Sequence, residues 1–180
     1  MRLTETEIVE AVQRGWREGQ AEMVGRYAKR VFAMIARMVS DVMDAQELTQ
    51  DTFLRAFSHI GGYDPQRSSL STWLCRIGYH LTLDFLKRRR PLIVAMENDE
   101  GVCDEDVELS TGREELIEQL MWLVDELPDE ERMLVTLYYF ENRPLTEIAY
   151  IMDVDAKVLA KRLYRTRKKL YKKLNDERKI

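Results

Sequence analysis

A dense set of cations lies between Lys157 and Lys172: Lys157, Lys161, Arg162, Arg165, Lys168, Lys169 and Lys172. Leu159, Leu163, Thr166, Leu170 and Leu174 recur through the same stretch at helical spacing. Such a stretch predicts a helix with one apolar stripe and a basic remainder. Ammonium and guanidinium groups held in a row meet phosphate, and an arginine fork also fits the edge of a base. Tyr164 adds a ring that can stack or bond a phosphate. A run of charges is most often a solvated face, but such faces usually mix signs. This one keeps a single sign for about four turns, while the chain as a whole is acidic, with net charge -4. The basicity is local, which is the footprint of nucleic-acid contact.

The residues before that helix predict the elements that would position it. Pro128 and Asp129 suit a first helical turn. A helix through Met133, Leu134, Leu137, Tyr138 and Phe140 is expected to stop near Asn142, which tolerates the left-handed conformation. Pro144 opens a short helix from Leu145 to Met152, Asp153-Val154-Asp155 forms a turn with Asp153 at a left-handed position, and the basic helix runs from about Ala156 to Leu174. Two short helices, a tight turn and a longer basic helix are the grammar of a helix-turn-helix DNA reader.

Charge divides the rest of the chain. Lys87-Arg88-Arg89-Arg90 closes a first part, and the stretch from Glu97 to Glu131 is then almost wholly acidic. MENDEGVCDEDVELSTG is too polar to bury a core and is expected to be a flexible linker. The organisation expected is all-α: a helical domain over residues 1–90, an acidic linker over 91–112 and the helix-turn-helix domain over 113–180. Each part is small, but each is long enough for a few helices around one core.

The first part predicts four helices. Thr4 and Glu7 have capping-box spacing for a helix reaching about Glu18. A second is expected from about Gln20 to Val39 with Val24, Tyr27, Val31, Ile35 and Met38 inward. A third, from about Asp44, buries Ala45, Leu48, Thr52, Phe53, Ala56, Phe57 and Ile60 and leaves Asp44, Glu47, Gln50, Asp51 and Arg55 on its other face. Gly61-Gly62-Tyr63-Asp64-Pro65 breaks it into a loop carrying Arg67, Ser68 and Ser69. The fourth, from about Leu70 to Arg89, buries Leu70, Trp73, Leu74, Ile77, Leu81 and Phe85, while Arg76, His80, Lys87 and Arg90 project elsewhere.

Other chemistries find little support. Cys75 and Cys103 lack metal-ligand spacing and read as intracellular thiols, and His59 and His80 complete no metal signature. Neither histidine sits in an evident catalytic cluster. No apolar run has transmembrane length, and the N-terminus is too polar for a signal peptide. The expectation is a cytoplasmic, non-enzymatic protein with no metal or other cofactor.

Taken in order, DAQELTQDTFLRAF (Asp44 to Phe57), YDPQRSSLSTWLCRIGYHLTLDFLKRRR (Tyr63 to Arg90), LPDEERMLVTLYYF, LTEIAYIMDV and the RLYRTRKKL tail resemble a bacterial RNA polymerase sigma factor, of the extracytoplasmic-function group of the sigma-70 family. The resemblance covers nearly the whole chain. It implies two domains, sigma regions 2 and 4, on a flexible linker. It also implies that the chain binds core RNA polymerase, reads the −10 and −35 promoter elements and aids strand opening.

Roles follow from the matched positions. Asp44, Glu47, Gln50 and Asp51 match the surface that docks on the clamp helices of the largest polymerase subunit. Tyr63, Asp64, Arg67 and Ser68 match the loop that captures −10 bases, and Arg76, His80, Lys87 and Arg88 match the track for the melted strand. His80 stands where many relatives carry asparagine. Lys157, Lys161, Arg162, Tyr164, Arg165, Lys168 and Lys169 match the −35 reader. Its Lys157-Val158-Leu159-Ala160-Lys161-Arg162 replaces a more usual Gly-Thr-Val-Lys-Ser-Arg run, which implies a different promoter sequence or more reliance on phosphates. The partners implied are core polymerase and promoter DNA, duplex and melted, and many relatives are also held by an anti-sigma factor. No stable homo-oligomer is expected. The alternative is a free-standing helix-turn-helix regulator that binds duplex DNA without polymerase, usually as a symmetric dimer.

Overall fold

A computed structural model of the chain describes residues 3–94 and 112–177, and every regular element among them is helical. Most of the expected linker, with Cys103, lies outside the described residues. The elements are α1 (Glu5–Gln13), α2 (Arg17–Ala36), α3 (Val42–His59) with a short 3-10 turn at Ile60–Gly62, α4 (Leu70–Val94), α5 (Gly112–Asp125), α6 (Asp129–Val135) continuing into a π-helical turn at Thr136–Phe140, α7 (Leu145–Met152) and α8 (Ala156–Glu177). None of the described helices is long and apolar enough to cross a membrane.

Local chemistry sets the boundaries. The Thr4 side chain accepts from the Glu7 N–H, and the Glu7 carboxylate accepts from the Thr4 N–H at 2.7 Å, which closes the capping box. The Thr4 N–H and hydroxyl, both donating to it, hold the Glu7 carboxyl below its ordinary range. The first helix does not reach Glu18 as expected. Gly15 takes a φ of +74°, a backbone turn that glycine enters freely, and α2 starts at Arg17 rather than Gln20. Asp41 caps α3 by accepting from the Met43 and Asp44 N–H groups at 2.7 and 3.2 Å. The fourth helix runs past Arg89 to Val94.

The first four helices pack on Ile8, Met23, Met34, Ile35, Leu70 and Leu74, all essentially sealed from water. Val24, expected inward, is 37% exposed. Helices approach closely at two glycines: a Cβ at Gly19 would meet Ala11 Cβ at 2.5 Å, and one at Gly78 would meet Met34 Cε at 3.2 Å and Thr52 Oγ1 at 3.3 Å. The buried hydroxyls of Thr49, Thr52 and Thr82 donate to the carbonyls of Ala45, Leu48 and Gly78, so each of these three has its acceptor.

The helix-turn-helix is seated on this bundle. One continuous apolar cluster includes Leu74, Cys75 and Tyr79 of α4 together with Met133, Leu134, Leu137, Ile148, Ile151, Met152, Leu159 and Leu163. A second, smaller cluster joins Leu123, Val124 and Leu127 of α5 and the turn after it to Val135 and Leu170. The π-helical turn and Asn142, at φ +50°, redirect the chain after Phe140. Phe140 is 38% exposed and lies under the Arg37 guanidinium, 3.9 Å from its ring centroid. Asp153 ends α7 in the left-handed conformation, φ 58° and ψ 42°.

Candidate nucleic-acid interface

Asp155 starts α8 by accepting from the Lys157 N–H at 2.7 Å. Leu159, Leu163, Thr166 and Leu170 then bury one face. Opposite them, Lys157, Lys161, Tyr164, Arg165 and Lys168 stand exposed. Lys168 Nζ lies 4.8 Å from the Tyr164 ring centroid, a cation–π contact. Arg162 and Lys169 sit on the flank, facing the acidic first turn of α6: Arg162 Nη1 donates to Glu130 at 3.0 Å, and Lys169 Nζ pairs with Glu131 at 3.6 Å.

On α3 the apolar stripe turns Glu47, Gln50 and Asp51 outward, and Asp44 is tied to Arg89 of α4. Two apolar side chains share that outer face, Met43 at 71% exposed and Leu54 at 62%. They lie at helical spacing with Glu47 and Gln50, so the face is an apolar patch set among carboxylates. The spacing 43, 47, 50, 54 puts Met43 and Leu54 on that face, where the sequence expectation names only the polar members.

The loop after α3 is built by its own polar groups. Tyr63 Oη donates to the Ser68 carbonyl at 3.1 Å and its ring packs 5.6 Å from that of Trp73. Asp64 accepts from the Gln66 N–H at 2.9 Å, so its carboxylate shapes the turn. Trp73 and Leu74 are core, as their spacing implied. Beside the loop, Arg55, His59, Gly62, Trp73, Arg76, Ile77, His80 and Asp84 line a cleft of about 500 Å³. Partial burial, with Arg76 next to it, holds the His80 imidazole below its ordinary range, so it is neutral near pH 7. Arg55 and His59 bring a second cation and a second imidazole from α3. Lys87 and Arg88 are exposed further along α4. Lys87 borders a separate cavity that Arg162 and Arg165 also line.

Arg76 is engaged by the helix-turn-helix. Its Nη1 donates to the Tyr150 carbonyl at 2.6 Å, its Nη2 pairs with Asp153 at 3.1 Å, and its guanidinium lies 5.0 Å from the Tyr150 ring centroid. Arg67 approaches the same ring at 5.8 Å. Next to them Arg143 is 6% exposed; it donates to Glu147 at 2.9 Å, Thr72 Oγ1 at 3.3 Å and Cys75 Sγ at 3.1 Å. Nothing in the sequence pattern marks Arg143 as buried, since charged residues are seldom so.

Comparison with known proteins places this arrangement. The family model described as Sigma-70 region 2 matches residues 23–91, and the one described as Sigma-70, region 4 matches residues 117–170. The chain is 28% identical over 182 residues to the ECF RNA polymerase sigma factor SigW of Bacillus subtilis, covering 93% of this chain and 95% of that one. It is 29% identical to the ECF RNA polymerase sigma factor SigM of the same organism, over 87% of this chain and 98% of that one. Among solved structures, CnrH in complex with the cytosolic domain of CnrY superposes with a TM-score of 0.69 at 18% identity, over 96% of this chain and 97% of that one.

Proposed function

We propose residue roles from one premise: the chain belongs to the sigma-70 family of bacterial RNA polymerase sigma factors, in its extracytoplasmic-function group. It binds core RNA polymerase and directs transcription initiation at chosen promoters. Its partners are core polymerase and promoter DNA. We take residues 1–90 and 113–180 as its two working units, joined by the acidic segment 91–112. The protein acts in the cytoplasm, where polymerase and DNA are, and contributes no catalytic step of its own.

The observation that carries the −35 assignment is the single-sign outer face of α8, with Lys157, Lys161, Tyr164 and Lys168 standing clear of the bundle. A helix reading the major groove presents the residues of its first half to base edges and later ones to phosphates. Lys157 and Lys161 therefore lie nearest the bases, with Lys168 on the backbone. Arg165 reaches one strand from the side, and Arg162 and Lys169 hold the acidic turn of α6 against the helix. On the −10 side, the cleft between α3 and α4 supplies Arg76, with Lys87 and Arg88 beyond it, for the melted strand. Tyr63, Arg67 and Ser68 come from the loop beside it, and His80 offers a neutral imidazole as donor or acceptor to a base. Asp64 fixes the loop. Glu47, Gln50 and Asp51, with Met43 and Leu54, form the polymerase dock. Exposed apolar anchors give such a contact affinity, and the carboxylates give it orientation and on-rate.

The test is reconstitution. The purified chain with core polymerase should start transcription from a subset of a promoter library randomised at both elements. Free protein should bind the same DNA weakly, because its two units gain effective concentration only when polymerase fixes their spacing. Tight promoter binding without polymerase, by a dimer, would favour a free-standing regulator instead.

A further inference from the structure

We infer that Glu5, the first residue of α1, is a positioning residue for −10 recognition: its carboxylate caps α4 and so fixes the outgoing end of the loop from Tyr63 to Ser69 that meets the bases. The inference rests on the reading of that loop as the −10 reader, a reading that gives α1 no part.

The loop ends on a helix whose first turn needs acceptors. α4 begins at Leu70, and the first N–H groups of a helix have no carbonyl partner within it. Ser69 meets one of them, its Oγ accepting from the Thr72 N–H at 3.2 Å. The Leu70 N–H belongs to a residue sealed from water, and it turns to another helix. It donates to Glu5 Oε2 at 3.4 Å, across 65 residues of chain. That bond is long, but a carboxylate at this place also meets the positive end of the α4 dipole.

Glu5 is itself held from several sides. Its other oxygen, Oε1, accepts from Tyr27 Oη of α2 at 2.8 Å. Arg26, next to Tyr27, donates to the Leu3 carbonyl at 2.7 Å, which ties down the chain two residues before Glu5. The capping box of Thr4 and Glu7 sets the backbone around it. Glu5 also lies near enough to Tyr63 to act on it: burial, and after it the Glu5 charge, pushes the Tyr63 hydroxyl above its ordinary range. At the incoming end of the loop, α1 packs on the turn at Ile60–Gly62. One short helix thus grips the loop at both ends. A loop gripped in this way presents Tyr63, Arg67 and Ser68 in one arrangement. Released at Leu70 it samples several, and binding must then order it at a cost to selectivity.

Glu5→Ala removes both bonds and leaves the apolar face of α1 intact. In the reconstituted holoenzyme it should lower discrimination between a cognate promoter and promoters with single −10 substitutions about fivefold, the scale of losing a helix cap. Affinity for core polymerase and discrimination at −35 should stay as in wild type. Glu5→Gln should restore most of the loss, because its amide oxygen still accepts from Leu70 while its NH2 donates to Tyr27 Oη. Tyr27→Phe leaves the carboxylate in place without its orienting donor and should cost about twofold. Ile8→Val thins the core under α1 without touching Glu5 and should leave discrimination unchanged, with urea unfolding comparing the stability each variant loses. An equal loss of −10 discrimination in Ile8→Val, or no rescue by Glu5→Gln, would make Glu5 a residue of the fold alone and overturn the inference. Unchanged −10 discrimination in Glu5→Ala would overturn it outright. Arg67→Ala with Ser68→Ala separates the inference from its premise. If that variant loses −10 discrimination and Glu5→Ala does not, the positioning role alone fails. If neither loses it, the reading of the loop fails and the inference with it.

Discussion

Arg162 of the recognition helix and Glu130 at the start of α6 are joined at 3.0 Å, across a pocket that Lys87 of α4 also lines. The pairing turns Arg162 to the flank and leaves the outer face of α8 to Lys157, Lys161, Tyr164 and Lys168. On sequence alone Arg162, in the first half of that helix, is the natural candidate for base readout.

Lys161→Ala in the reconstituted holoenzyme should therefore cost more than Arg162→Ala. Lys161→Ala is expected to weaken −35-dependent initiation by about 1–3 kcal/mol if it meets a base edge, with preference relaxed at one or two positions. If it meets phosphate only, it should lower the salt slope by roughly one unit across all sequences. Arg162→Ala should change preference little and stability by no more than about 1 kcal/mol, as expected for a part-exposed pair. A relaxed base preference in Arg162→Ala would mean that Arg162 leaves Glu130 on binding DNA.

The α3 face should fail in two separable ways. Glu47→Lys with Asp51→Lys should slow association with core polymerase and make its rate less salt-dependent, because rim charges steer encounter. Leu54→Ala should instead raise the dissociation rate, at a cost of about 1–2 kcal/mol for a buried apolar anchor. Surface plasmon resonance against core polymerase reads both. Leu54→Ala binding like wild type would place the dock elsewhere.

Arg143→Met should destabilise the free chain. The substitution removes the donors to Glu147, Thr72 and Cys75 and leaves their acceptors facing a thioether. A loss of about 2 kcal/mol in urea unfolding is expected. Arg143→Lys should recover only part of it, since a single ammonium cannot span the three acceptors.

Alkaline conditions should unfold the protein earlier than its amide backbone alone would dictate. Burial pushes the Cys75 thiol from 9.0 up to about 11, and the Tyr27 and Tyr79 hydroxyls from 10.0 up to about 12. Each group ionises at lower pH in the unfolded chain than in the folded one. Stability is then fully present below about pH 9 and is lost as pH rises towards 12, by at most about 1.4 kcal/mol per pH unit for each group. Urea midpoints between pH 8 and 11 measure it, and Cys75→Ala should flatten the lower part of that fall.

Periodicity and cap chemistry made much of this legible before any coordinates. The stripe Leu159, Leu163, Thr166, Leu170 is buried as spaced, Thr4 and Glu7 close their box, and Asp153 takes the left-handed turn. These are local features, decided within a few residues of each other. Gly15, whose left-handed backbone ends the first helix early, is a local miss. The rest of what escaped was decided at a distance. Phe140, in the π-helical turn, lies against Arg37 of α2, a contact more than a hundred residues away in the chain. Arg143 and Asp153 gain their meaning only from α4, more than sixty residues earlier in the chain. No pattern within either half could show that the two halves share one apolar interior.

That shared interior ties the working state of the protein to temperature. Lifting the helix-turn-helix from α4 bares Ile148, Ile151 and Met152, together with Leu74 and Tyr79 beneath them. Exposing apolar surface raises heat capacity, and the force that keeps such surface buried weakens on cooling. A cold cell should thus hold a larger fraction of free protein with its two halves apart than a warm one, so that the same chain is more readily recruited after a fall in temperature.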